Sequence, residues 1–169
     1  MILSAYLQRF GLRHFIETGT HLGDTLAYIA NDKAVKCTSI ELADHYYLAA
    51  MRRFAAYPNV TLLKGDSGKI LAECIGNLQA PALFWLDGHY SGGATARGAV
   101  DTPVSAELQA ILDSPIKTHV ILIDDARCFD GSNTYPLLDV FLNTIRQNGT
   151  YHIEVSADII RLAPQIQFK

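Results

Sequence analysis

Five apolar runs along this chain each end on, or shortly before, an acidic residue. His14-Phe15-Ile16 ends at Glu17, Lys36 to Ile40 at Glu41, and Val60 to Leu63 is followed by Gly65-Asp66. Ala82 to Leu86 runs into Asp87, and His119 to Ile123 into Asp124-Asp125. The runs are short and continuously apolar, as strands covered on both faces are. Between them lie helix-length segments: 24–31, 44–57, 67–77, 102–113 and 136–147. Strand alternating with helix predicts a parallel sheet in a doubly wound α/β domain. Tyr151–Ser156 and Ile159–Leu162 are expected to close the sheet as an antiparallel hairpin around Ala157-Asp158. The fold class is therefore Rossmann-like, with a mostly parallel sheet of about seven strands in one domain. In a parallel sheet the five acids share the carboxyl edge, where open α/β sheets bind ligands.

Composition narrows the classes. Of 169 residues, 49% are hydrophobic and 18% charged, with a net charge of -3, so a single core can form and a basic nucleic-acid footprint is absent. No apolar run approaches the ~18 residues of a membrane span, and Met1 to Tyr6 lacks the pattern of a signal peptide. Cys37, Cys74 and Cys128 are odd in number and far apart, which argues against disulfides and cysteine-bound zinc. A cytoplasmic protein is expected, with no nucleic-acid or membrane partner. The one long irregular stretch, 88–101, has the length of a functional loop.

The first strand end reads Glu17-Thr18-Gly19-Thr20-His21-Leu22-Gly23, which is not the dinucleotide fingerprint. Gly19 suits a tight turn, and Gly23 suits close approach of the next helix to the sheet. Glu17 would repel a pyrophosphate but suits a cationic or zwitterionic ligand. Glu41 is placed to accept hydrogen bonds from a ribose diol; alone it reads equally as a solvated strand-end acid. Asp66 is placed to meet an adenine amino group.

Adjacent fourth and fifth strands would bring Asp87 beside Asp124 and Asp125. Two bare carboxylates at ~4 Å repel by about 4 kcal/mol at an effective dielectric near 20. Such a group takes up protons, recruits cations or binds a metal, and an all-oxygen set suits Mg²⁺ or another hard divalent cation. The plainer reading has Asp124 or Asp125 capping the next segment. His89, two residues past Asp87, is the candidate general base; Tyr90, Arg97 and Arg127 are candidates to shape an acceptor pocket. Ser91, Asp124 or Asp125, and His152 follow the chain order of a serine hydrolase, although the nucleophile elbow lacks its first glycine.

The stretch Phe15 to Glu41, the Gly65-Asp66-Ser67 turn, Leu86-Asp87-Gly88-His89 and Ile123-Asp124-Asp125 resemble the class I S-adenosylmethionine (SAM)-dependent methyltransferases. The metal-dependent O-methyltransferases of the catechol and macrocin type are the nearer likeness. The family motif E-x-G-x-G-x-G stands here as E-x-G-x-x-x-G, with His21 in the middle position. The resemblance implies that Glu17, Thr18, Gly19 and Gly23 cradle the methionine part of SAM, that Glu41 holds the ribose, and that Asp66 and Ser67 hold the adenine. It implies Asp87, Asp124 and Asp125 as metal ligands, Asp87 and His89 as catalytic residues, and a small-molecule or sugar hydroxyl as acceptor. Only about thirteen residues precede the first strand, so a substrate cap is expected from the 88–101 loop or from a second subunit in a homodimer. A non-catalytic SAM- or nucleotide-binding module of the same fold is the alternative.

Overall fold

The computed structural model describes residues 2–88 and 102–165. Its elements follow the chain as α1 (Ile2–Arg9), β1 (His14–Thr18), α2 (Asp24–Ala30), β2 (Lys36–Glu41), α3 (Asp44–Arg53), β3 (Val60–Lys64) and α4 (Ser67–Gly76). Then come β4 (Leu83–Leu86), α5 (Val104–Asp113), β5 (Val120–Ile123), a 3₁₀ turn (Ala126–Cys128), α6 (Leu138–Asn148), β6 (Tyr151–Ser156) and β7 (Ile159–Pro164). The strands form one sheet in the order β3-β2-β1-β4-β5-β7-β6. The first five are parallel, and β7 runs antiparallel to both β5 and β6. The expected doubly wound sheet with a C-terminal hairpin is what forms. No helix among the described residues is long and apolar enough to cross a membrane.

Alternation along the buried strands divides the core into two layers. Phe15, Cys37, Leu83, Trp85, Val120 and Leu122 face α1, α2 and α3, against Leu3, Leu7, Leu26, Ile29 and Ala50. Their neighbours Ile16, Ile40, Phe84, Leu86, Ile121 and Ile123 face α4, α5 and α6, against Leu71, Ile75, Leu108, Ile111, Phe141 and Ile145. Both faces are covered, which is why the strand runs are continuously apolar.

Several boundaries differ from expectation. The sequence pattern did not indicate α1, whose Leu3 and Leu7 are buried against the sheet. Helix α3 stops at Arg53 rather than Tyr57: Phe54 leaves helical geometry and stacks edge-on against Tyr57, and Pro58 disfavours helix at the residue before it. Helix α2 ends at Ala30 rather than at residue 31, and no side chain caps its start. Gly23 takes the cap position, and the Asp24 carboxylate pairs with Arg53 at 2.8 Å. Helix α5 starts at Val104 rather than at residue 102, with Pro103 in the cap position, while Thr102 Oγ1 accepts from Val104 N at 3.3 Å. Helix α6 starts at Leu138, because Leu137 is held in a bridge with Asp130.

Candidate functional site

The carboxyl ends of β1, β2, β4 and β5 meet at one edge of the sheet. The β1–α2 loop, 19–23, turns over this edge. Gly19 has φ +83, and a Cβ there would lie 2.5 Å from the Asp87 carbonyl oxygen. A side chain at this position would therefore push the loop off the end of β4. Gly23, at φ +78, is required for a different contact from the one expected. Its missing Cβ makes room for Phe54 behind α3, 2.8 Å away, rather than for the sheet. His21, where the resembled motif has a glycine, keeps the left-handed backbone, with φ +48. That conformation costs a non-glycine residue roughly 1 kcal/mol. It is held by the His21 N–H donating to Glu41 Oε2 at 2.7 Å and by the imidazole Nε2 lying 3.1 Å from the Tyr46 hydroxyl.

Glu41 is thus the hub of the β1–β2 side. It is buried, and its second oxygen accepts from Ala43 N at 2.7 Å. Both oxygens keep lone pairs for further donors. Beneath the loop, Glu17 is 1% exposed. Its Oε2 accepts from Ser39 Oγ at 2.6 Å, and Ser39 is bonded in turn to Thr20 Oγ1 at 2.6 Å. Burial pushes the Glu17 carboxyl up to about 8; the Ser39 hydrogen bond opposes this, and the Asp87 and Glu41 charges add to it. The sequence offered no sign of Ser39 or Tyr46, whose hydroxyls belong to no motif, and Thr20 falls at an unspecified position of the E-x-G-x-x-x-G run.

Asp66 serves first as the N-cap of α4, its Oδ1 accepting from Gly68 N at 3.1 Å, while Oδ2 lies 3.3 Å from Lys69 Nζ. Ser67, the first residue of α4, is buried. The turn stands at the same edge as Glu41, since Gly65 N donates to the Glu41 carbonyl at 2.9 Å.

On the β4–β5 side the sheet pairing runs one step past the strands, with Asp124 N donating to the Leu86 carbonyl at 3.0 Å. That places Asp87 and Asp124 side by side. Burial raises the Asp124 carboxyl; the Asp125 amide opposes this, and the Asp87 charge adds to the rise. Asp125 does not complete the expected trio. It adopts φ +57 at the start of the 3₁₀ turn, and its carboxylate meets Arg127 Nη2 at 2.7 Å. Arg127 also pairs with Asp158, so it is tied to the β6–β7 turn rather than extended into the acceptor side. Among the described residues no group of three metal-ligating side chains converges. His89, Tyr90, Ser91 and Arg97 lie outside the described residues.

The serine-hydrolase reading loses its histidine. β6 runs parallel to β5, so His152, near the start of β6 and opposite Ala163, lies toward the amino edge of the sheet. Asp124 and Asp125 stand at the carboxyl edge.

One acid went unnoticed in the sequence. Glu107 lies on α5 and is 1% exposed. Its Oε1 has no hydrogen-bond partner among the described residues. Burial raises its carboxyl to about 7, opposed by the facing Ser67 and Thr18 hydroxyls and reinforced by Asp66 and Asp87. The signal was available: Glu107 falls one turn after Val104 and beside Leu108 and Ile111, on the apolar face of the helix. With Asp87, Gly88, Thr102, Asp124 and Tyr135 it lines a cavity of about 10 Å³, room on the order of one water.

Comparison with known proteins supports this architecture through shape alone. No family model and no curated protein sequence matches the chain. Solved structures do. The SAH-bound Podospora anserina methyltransferase PaMTH1 superposes with a TM-score of 0.68 at 14% identity, covering 98% of this chain and 77% of that one. The O-methyltransferase TomG from Streptomyces achromogenes, solved with SAM, gives 0.64 at 14% identity over 96% and 77% of the two chains. The 23S rRNA methyltransferase ErmE gives 0.61 at 15% identity over 98% and 68%. The chain has the class I methyltransferase fold, shared by proteins named for quite different acceptors.

Proposed function

We propose that this chain is a SAM-dependent methyltransferase that modifies a hydroxyl of a small molecule or sugar, assisted by Mg²⁺ or another divalent cation. One observation carries the cofactor assignment: the β1–α2 loop closes on the Asp87 carbonyl at Gly19 while Glu41 holds that loop from β2. This leaves a turn bare of side chain at Gly19, above the buried Glu17 carboxyl and beside that of Glu41. Such a cradle fits a ligand with an ammonium, a sulfonium and a ribose diol, and disfavours a pyrophosphate. Glu41 would hold the ribose hydroxyls, Gly19 and Thr18 would pass beside the methionine part with Glu17 beneath, and Asp66 and Ser67 would border the adenine. When bound, SAM supplies an electrophilic methyl group on a sulfonium.

Asp87 and Asp124 fit a hard cation, because Mg²⁺ is commonly bound through one or two carboxylates with water and substrate oxygens completing the shell. Asp125 would join only by leaving Arg127. A cation there would draw an acceptor oxygen to the β4–β5 edge and ease loss of its proton. His89 is the residue proposed to take that proton. The clustered acids and the net charge of -3 disfavour a phosphate-rich acceptor such as a nucleic acid. The test is transfer of a labelled methyl group from SAM to a panel of polyhydroxylated acceptors, with Mg²⁺ or with EDTA. Transfer that is unchanged by EDTA and by Asp124→Asn would remove the metal from the proposal.

A further inference from the structure

Three acidic residues border Thr18, and their charges act on one another. Glu17 precedes it in β1. Asp87 N donates to the Thr18 carbonyl at 3.2 Å. Glu107 reaches in from α5, where a Cβ on Gly88 would lie 3.2 Å from Thr18 Oγ1 and 3.4 Å from Glu107 Oε1. Gly88 is thus the gap through which Glu107 faces the edge of the sheet. Among the described residues no lysine or arginine pairs with Glu17 or Glu107. Glu107 Oε1 is buried and has no hydrogen-bond partner among the described residues, and Glu107 lines the same cavity as Asp87 and Gly88.

A buried carboxyl with one oxygen left unpartnered is costly unless a further donor or a cation arrives. We propose that Glu107, with Glu17 and Asp87, forms an anionic cradle that distinguishes the cationic methyl donor from its neutral demethylated product. This rests on the SAM reading and deepens it. The donor is a sulfonium, the product S-adenosylhomocysteine a neutral thioether, and the rest of the two molecules is identical. Contacts to ribose and adenine therefore cannot tell them apart, whereas negative charge fixed near Thr18 can. Glu107 is the selective element because it lies on α5, which supplies none of the residues that would hold the shared parts. A site that prefers the charged donor also releases its product more readily.

The experiment is calorimetric titration at pH 8 of SAM, S-adenosylhomocysteine and sinefungin, which carries an amine in place of the sulfonium. Wild type, Glu107→Gln and Asp87→Asn are compared, with thermal unfolding to establish that each is folded. Glu107→Gln should weaken SAM and sinefungin about tenfold, the effect of one charge at about 10 Å and an effective dielectric near 20, and should leave the product's affinity nearly unchanged. Asp87→Asn should give the same selective loss and decides the matter if the Glu107 variant does not fold. Equal loss for all three ligands, or no loss, overturns the cradle while leaving the cofactor assignment intact. A wild type that binds none of the three overturns the cofactor assignment and the cradle with it.

Discussion

The two halves of the sheet edge handle their acids differently. On the β1–β2 side, Glu41 accepts two backbone N–H groups and Glu17 accepts the Ser39 hydroxyl. On the β4–β5 side, Asp124 and Glu107 are raised by burial and by neighbouring carboxylates, and Glu107 Oε1 has no partner among the described residues. The first half is built to hold a shape before any ligand arrives. The second holds negative charge in reserve, as a site for cations does. Preorganisation is thus centred on Glu41, whereas charge storage is shared by Glu17 in the first half and by Asp124 and Glu107 in the second.

Breaking the preorganised half should have the largest effect. Gly19→Ala places a Cβ 2.5 Å from a backbone oxygen at φ +83, so the loop must leave the end of β4. A loss of about 3 kcal/mol or more in stability, together with loss of SAM binding, is expected in unfolding and titration measurements. Glu41→Gln keeps the size but turns one acceptor into a donor facing an N–H. It should cost about 1–3 kcal/mol and weaken SAM at least severalfold.

Charge storage gives a pH signature. Glu17 and Glu107 hold their protons in the folded state up to about 8 and about 7, from an ordinary value of 4.5, chiefly because burial disfavours the anion. Between 4.5 and 8 the folded protein binds more protons than the unfolded chain, so stability without ligand should fall as pH rises through that window. The loss is expected to be on the order of a few kcal/mol, read as a falling melting temperature. Glu107→Gln should flatten the slope up to about pH 7. Asp124→Asn relieves repulsion with Asp87. It should raise ligand-free stability by about 1 kcal/mol and abolish any melting shift caused by Mg²⁺. The smallest change is expected for His21→Gly, which relieves backbone strain but loses the Tyr46 contact. A net change within about 1 kcal/mol would show that loop shape rests on Glu41 rather than on the imidazole.

The fold was legible because the buried strands carry continuous apolar runs and their acids fall at one edge. Glu17, Glu41, Asp87 and Asp124 were readable for the same reason: topology brings every strand end together. What escaped depended on direction rather than position. Asp125 stands beside Asp124 in sequence, yet a left-handed backbone turns it to Arg127. Glu107 sits in a helix that reads as ordinary packing unless its place on the apolar face is noticed. Ser39, Thr20 and Tyr46 matter only through partners that are distant in sequence.

The most direct test is thermal unfolding of the wild type with SAM. At ~100 times its dissociation constant a ligand adds about 2.7 kcal/mol, which for a domain of this size is a rise of several degrees. The expected result is such a rise with SAM, much reduced in Glu41→Gln. No rise with SAM or S-adenosylhomocysteine up to millimolar concentration would contradict the assignment of this edge to the methyl donor.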